Sequence, residues 1–402
     1  MTLFLVLLYA LVLPYVALML IVCLGMFLSR KRPRSMATPS VSVIIPAHNE
    51  EDKLAATLES LSRQQYGGPL EFVIVNDRST DATRDIIRSF VDKDARFRLV
   101  DVSAPSRRLA PKVNAVNIGI QNSSGEIILT SDADCQYPAA WVGGMVSYFA
   151  PDVAMVVGYV ETTQPGVPAR LLHRFESTDW LSLMLVSRSL THFGWSFASS
   201  ANNQGYRRSA FEDIGGFGAS GRAPSGDEDL LTQRMGRLQQ GRVVFATAPE
   251  TRVLTRPMPT LHALLNQRRR WVSRYHHMLH YHPLFWLSVA VLGAQSVLLS
   301  LAIVLSFVFP ALAPFVLGLW VVKLAVEYGG MYVGTELMGR RDLWGVPVLI
   351  WAPLHPFFIA TVVLWSLARP GEWRAGAMSY RRRFFKRQWR EWRRKLRGAL
   401  LG

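Results

Sequence analysis

Glu126-Ile-Ile-Leu-Thr-Ser-Asp-Ala-Asp134 is the stretch on which the reading of this chain turns. A short run rich in Ile and Leu, 126–130, ends in two carboxylates one residue apart, Asp132 and Asp134. Such a run reads as a strand buried on both faces of a largely parallel sheet. Two carboxylates at the carboxyl end of a strand can converge on one hard cation. Mg2+ or Mn2+ takes oxygen ligands and bridges readily to substrate phosphates. The competing explanation is a polar turn in which Asp caps the next helix.

Similar runs lie on either side. Val41–Ile45, Glu71–Val75, Phe97–Val100 and Val153–Val157 are apolar and rich in β-branched residues. Between the first two, 51–64 carries Leu54, Leu58 and Leu61 at helical spacing. Strands alternating with helices predict an α/β domain of nucleotide-binding type, whose ligands sit at the carboxyl ends of parallel strands. The domain is expected over 40–280, with interfacial helices near its end.

Four further clusters can carry chemistry. Asn76-Asp77-Arg78-Ser79-Thr80-Asp81 follows a strand, so Asp77 can accept from a nucleobase, while Ser79 or Thr80 can instead cap a helix. Lys112 follows Pro111 at a helix start, where a cation opposes the helix dipole unless an anion is near; a solvated lysine is the alternative. Asp227-Glu228-Asp229 packs three acids together, and mutual repulsion raises the pKa of at least one toward the range a general base needs. Acidic bias in a first helical turn explains it equally. Gln267-Arg-Arg-Arg270-Trp271 can clamp a diphosphate and stack on a sugar, or serve as a juxtamembrane basic anchor.

Half of the 402 residues are hydrophobic and only 18% are charged, which points to the bilayer. Residues 3–28 form one uncharged apolar run, long enough to cross a hydrocarbon core about 30 Å thick. It lacks the basic n-region and cleavage site of a signal peptide. A membrane helix is expected over 1–29. Arg30, Lys31, Arg32 and Arg34 would then hold the chain from residue 30 onward in the cytoplasm, at the inner cell membrane. Further membrane segments are expected over 283–368. The runs 284–308 and 311–333 read as spans, although Lys323 and Glu327 stand one turn apart in the second. The run 343–367 is broken by Pro347, Pro353 and Pro356 and reads as re-entrant or as a third span. The tail, 369–402, holds twelve Arg or Lys between 369 and 397 against two Glu and reads as an amphipathic helix on anionic lipid. A cytoplasmic tail favours two full spans plus a re-entrant segment. The net charge of +16 thus belongs to membrane flanks, and no nucleic-acid partner is expected. Cys23 and Cys135 cannot build a disulfide framework and are read as reduced thiols.

In order and spacing, these motifs resemble the membrane-bound branch of the family 2 glycosyltransferases. That branch includes hyaluronan, chitin and cellulose synthases and smaller lipid-glycosylating enzymes. The likeness runs from Val41 to about Trp271. Val43-Ile-Ile-Pro46-Ala-His-Asn49-Glu50 resembles the family's opening strand and loop. Asp77 falls at its nucleobase acid, Lys112 and Ala115 in its K-x-x-A-x-N segment, and Asp132 and Asp134 at its D-x-D. Ala201-Asn-Asn203 to Arg208 and Gly215-Gly-Phe217 resemble its acceptor side. Gln267, Arg270 and Trp271 match its Q-x-x-R-W.

The resemblance implies a GT-A fold and inverting transfer from a nucleotide sugar, a UDP-hexose or UDP-N-acetylhexosamine. Mg2+ or Mn2+ would sit on Asp132 and Asp134. Pro46, Asn49, Glu50, Asp77, Lys112, Asp132, Gln267, Arg270 and Trp271 would bind substrate. The base would come from Asp227, Glu228 and Asp229. A literal Glu-Asp pair nominates Asp229, whereas spacing to Leu231 and Thr232 nominates Glu228. The acceptor is read as a membrane lipid, with a growing, secreted glycan as the alternative. The oligomeric state is left open.

Overall fold

The computed structural model describes residues 2–29, 34–163, 169–218, 221, 227–237, 241–272 and 282–368. Arg30, Lys31 and Arg32, Gly226 before the acid cluster, and the tail 369–402 lie outside the described residues. In chain order come helix α1 (Thr2–Leu28), strand β1 (Val41–Ala47), α2 (Leu54–Ser62), β2 (Leu70–Asn76), α3 (Thr83–Val91), β3 (Phe97–Asp101), α4 (Pro111–Gln121) and β4 (Ile127–Thr130). Next are β5 (Cys135–Gln136), α5 (Trp141–Val146), β6 (Val153–Gly158), β7 (Val160–Thr162), α6 (Leu171–His192), β8 (Gln204–Arg207) and α7 (Arg208–Asp213). The described chain ends with α8 (Asp227–Met235), β9 (Arg242–Ala246), β10 (Val253–Thr255), α9 (Leu261–Val272), α10 (Pro283–Val308), α11 (Ala313–Leu337) and α12 (Val346–Ala368).

Seven strands form one sheet in the order β3-β2-β1-β4-β8-β6-β9. Pairing is parallel except at β8, which runs antiparallel to β4 and β6. Ile44 lies opposite both Val73 and Thr130, which aligns the carboxyl ends of β1, β2 and β4 at one edge. The strand order reverses between β1 and β4, so the crevice at that edge is where a ligand of an open α/β sheet belongs. A small second sheet, β5-β10-β7, lies beside it.

The central strands are apolar on both faces because both faces are covered. One core packs Leu54, Leu58, Ile87, Trp141 and Met145 of α2, α3 and α5 against the sheet. On the other face a single core passes from Val113 and Val116 of α4 through Leu181 and Leu185 of α6. It continues to Val22 and Met26 of α1, Met331 of α11 and Trp351 of α12. The catalytic-type domain and the apolar helices are therefore one packed body rather than two units joined by a linker.

Among the described residues, four helical segments are long and apolar enough to cross a membrane: Leu5–Leu28, Pro283–Val308, Pro310–Leu337 and Val346–Ala368. Lys323 and Glu327 are paired at 2.6 Å and buried among helices, which is how a charge pair persists in such a segment. α12 remains helical through Pro353 and Pro356. Pro356 has no N–H to offer the Ala352 carbonyl one turn back, and that oxygen accepts from Lys323 Nζ at 3.3 Å instead. Both ends of α12 adjoin the α/β domain. Ahead of it, Arg340 reaches the Tyr159 hydroxyl at 3.1 Å and Arg252 donates to the Met338 carbonyl at 2.5 Å. Near its end, the Trp365 ring lies 5.5 Å from the His262 ring and 4.3 Å from the Arg269 guanidinium.

Candidate active site

The D-x-D pair stands where the sequence predicts, directly after β4. The Ser131 hydroxyl donates to the Asn202 carbonyl at 2.6 Å, pinning the start of this turn to the segment before β8. Neighbouring Asn203 is fully buried. Its amide donates to the Tyr159 and Thr251 carbonyls at 2.8 Å, and its oxygen accepts from Trp141 Nε1 at 3.1 Å.

Two lysines compensate the acids. Lys112 Nζ is 2.5 Å from Asp132 Oδ1, so the lysine at the start of α4 does face an anion. Lys53 Nζ lies 3.9 Å from Asp134 Oδ2 and 3.2 Å from Glu50 Oε2. The Asp134 carboxyl is nevertheless raised above its usual range, first by desolvation and then by the charge of Asp132. Buried Cys135 Sγ lies 3.7 Å from Asp134, and burial pushes its thiol up, so it stays protonated. A close carboxylate pair of this kind gains from a hard cation. Among the described residues no third His, Cys, Asp or Glu joins the pair to complete a protein-only metal cage. The donor set therefore fits a hard divalent cation such as Mg2+ or Mn2+, which Asp132 and Asp134 would hold.

The loops after β1 and β2 make the neighbouring wall. Asn49 and Arg78 adopt left-handed backbone, φ 53° and 59°. Asn49 holds this turn by accepting from Thr80 N at 2.8 Å. Asp77 is buried, accepts from Arg78 Nε at 2.8 Å, and anchors to β1 through its N–H to Ala47 O at 2.8 Å. Pro46, Asn49, Glu50 and Asp77 thus share the crevice edge, outside the large cavity beside the D-x-D pair.

That cavity, about 930 Å³, is bordered by Lys112, Asp132, Asp134, Asn202, Glu228, Asp229, Gln267, Arg270 and Trp271. It continues between helices past Met19 and Cys23 of α1, Leu183 of α6, Leu292 of α10 and Val362 of α12. Of the acid cluster, Asp229 is buried and accepts from the Ser199 N–H at 3.2 Å. The Glu228 backbone carbonyl accepts from Thr232 Oγ1 at 2.8 Å. Asp227 opens α8. Gly215 and Gly216 have φ of 70° and 61° and end α7, so this pair is a helix stop that only glycine fits without strain.

Sequence reasoning missed several wall residues. Arg268, not Arg270, is the deeply buried arginine of Gln267–Trp271. It donates to Asp179 at 2.8 Å and lies 4.3 Å from the Trp271 ring. Helical phase carried the clue, because Arg268 lies one turn after Leu264, which is also buried. Glu176 and Asp179 line the cavity from α6, three residues apart on one face. Glu176 accepts from Met258 N at 2.8 Å, yet burial pushes its carboxyl up to about 7.

The model described as glycosyl transferase family 2 matches residues 42–215, which hold β1, the Asp77 loop, Lys112 and the D-x-D pair. This chain carries a family 2 glycosyltransferase domain. A probable glycosyltransferase of Bacillus subtilis is 28% identical over 220 residues, 53% of this chain and 52% of that protein. An undecaprenyl-phosphate 4-deoxy-4-formamido-L-arabinose transferase of Pectobacterium carotovorum is 30% identical over 113 residues, 28% of this chain and 34% of that one. The chain spans about half the length of the first of these relatives and a third of the second. A mannosyltransferase of Pyrobaculum calidifontis, solved with GDP-Man and Mn2+, shares the fold at TM-score 0.55 and 18% identity, over 90% of this chain and 99% of that one. The glycosyltransferase domain is thus GT-A-like, with a mostly parallel sheet and four candidate membrane helices around it.

Proposed function

We propose that this glycosyltransferase moves a sugar from a nucleotide sugar to a hydroxyl of a membrane lipid, with inversion. The observation that carries the reading is the cavity, which borders Asp132, Asp134 and Asp229 at one end and runs between apolar helices at the other. A soluble acceptor has no use for such walls, whereas a lipid reaches the site along them.

The donor lies at the carboxyl edge of β1, β2 and β4. Asp77 and the Pro46–Glu50 loop hold the nucleoside, and UDP-hexose or UDP-N-acetylhexosamine is the donor class. Asp132 and Asp134 would hold Mg2+ or Mn2+. The bound cation supplies Lewis-acid stabilisation of the leaving diphosphate. Lys112 and Arg270 add positive charge there. Asp229 deprotonates the acceptor hydroxyl, held in place by the Ser199 N–H, and Glu228 stands beside it as the other candidate. Gln267 and Trp271 border the acceptor end. For topology, α1, α10 and α11 cross and α12 lies along the catalytic side, a reading supported by contacts of both its ends with the α/β domain. The catalytic domain and basic tail then both face the cytoplasm.

The test is incubation of membranes with labelled UDP- and GDP-sugars and Mg2+ or Mn2+. Label should extract into organic solvent as a single-sugar product. A size ladder of water-soluble glycan would instead establish polymerisation.

A further inference from the structure

One buried side chain stands between two ion pairs that the transfer mechanism does not use. In the first, Lys323 holds Glu327 Oε2 at 2.6 Å, and the Tyr15 hydroxyl donates to Oε1 at 2.5 Å. In the second, Arg268 holds Asp179 Oδ2 at 2.8 Å. His355 of α12 separates them. Its Nδ1 is 3.8 Å from Glu327 Oε1, and its Nε2 is 3.7 Å from Asp179 Oδ1. Each nitrogen faces the carboxylate oxygen that the neighbouring cation leaves open. His355 is 6% exposed and borders the cavity together with Asp179, Glu327 and Arg268.

We infer that His355 and Asp179 are positioning residues for acceptor binding, tying Arg268 of the Gln267–Trp271 segment to the Lys323–Glu327–Tyr15 cluster of the membrane helices. Arg268 in turn lies against the Trp271 ring at 4.3 Å and the Trp180 ring at 5.7 Å, so its position sets the cavity wall at the acceptor end. The tie is anchored on its far side as well, because Lys323 also holds the Ala352 carbonyl freed by Pro356. Arg268 is then fixed from outside its own helix. The donor groups on β4 and α4 have no part in this chain of contacts. The assignment rests on the family 2 transfer reaction and not on the chemical identity of the lipid.

His355 is the clean probe. Its removal leaves each carboxylate with its own cation, so no buried charge is stranded. Two measurements on the purified full chain in detergent test the inference. In the first, UDP-N-acetylglucosamine, UDP-glucose or GDP-mannose is donor with Mn2+, and a bacterial polar-lipid extract is titrated into the micelles. His355→Leu should raise the KM for extract about three- to tenfold, the range of one lost buried polar contact. The KM for nucleotide sugar should stay within about twofold. His355→Gln, whose amide can donate to both carboxylates, should recover most of the effect. Equal changes in both KM values, or a Gln variant no better than Leu, would overturn the positioning role.

The second measurement needs no acceptor. Thermal midpoints of His355→Leu, Asp179→Asn and the double variant should be non-additive, the double falling by less than the sum of the two single falls. Additive falls would show that the two residues do not act through one contact. If the wild type shows no lipid-dependent transfer, the lipid reading fails and this cycle still decides the pairing.

Discussion

Replacing Glu176 by Gln should stabilise the protein at alkaline pH and change little in acid. Glu176 is 1% exposed, and burial moves its carboxyl from the ordinary 4.5 up to about 7. The Met258 N–H and the charge of Arg268 oppose that rise without cancelling it. Between the two values the folded chain keeps a proton that the unfolded chain releases. The folded state binds more protons there, so stability falls as pH rises through this window. The contribution is intact below about 4.5 and lost above about 7. At 1.36 kcal/mol for each step of one in pKa, the span from 4.5 to about 7 corresponds to about 3 kcal/mol. Gln keeps an acceptor for Met258 and removes the proton. The assay is the thermal midpoint of wild type and Glu176→Gln in detergent, from about pH 4 to about pH 8. The gap should open in favour of Gln as pH rises. A gap that stays constant would refute the claim that burial dominates this site. A wild type that gains on the variant at high pH would show that the ionised form is the one stabilised.

Asp134→Ala should lower Mn2+-stimulated transfer about a hundredfold or more in a metal titration, and full metal-dependent activity in that variant would sink the D-x-D assignment. Asp229→Asn should reduce kcat by about 10²- to 10⁴-fold and Glu228→Gln by much less; the reverse order would move the base to Glu228. Gly25 lets α1 approach α6 closely, since a Cβ there would lie 2.9 Å from Ser189 Cβ and the Phe193 ring. Gly25→Leu should therefore cost about 1–3 kcal/mol, read as a lower thermal midpoint, and an unchanged midpoint would show that the two helices are not packed this way. A phosphatase reporter fused after Ala368 should be inactive, as expected on the cytoplasmic side, whereas an active fusion would mean that α12 crosses.

Much of this protein was legible one residue at a time. The strands over 41–45, 71–75, 97–100, 126–129 and 153–157 all formed, because runs of Ile, Val and Leu bounded by polar turns have few other ways to bury both faces. The D-x-D pair, Lys112, Asp77 and the acids of α8 stand out as candidates for the same local reason. Each sits at the end of an element whose boundary the sequence itself marks. The Lys323–Glu327 pair was also visible, since spacing of four residues on a helix puts two side chains on one face.

What no local pattern carries is which side chains meet across elements. Lys112 opposite Asp132 joins residues twenty apart, and Arg268 on Asp179 spans 89 positions. The choice of Arg268 over Arg270 depends on which face of α9 turns toward α6, and three consecutive arginines give a motif no reason to prefer the first of them. His355 looked like one more residue in a proline-broken apolar run. Only the packing of α6, α11 and α12 set it between two carboxylates, and only the carbonyl released by Pro356 shows why that break is tolerated. The sequence by itself determined the elements and which candidate residues stand at their ends, because strand ends and helix starts are local. Tertiary structure alone decided how the D-x-D site opens into the apolar helices, because a cavity wall is assembled from residues hundreds of positions apart.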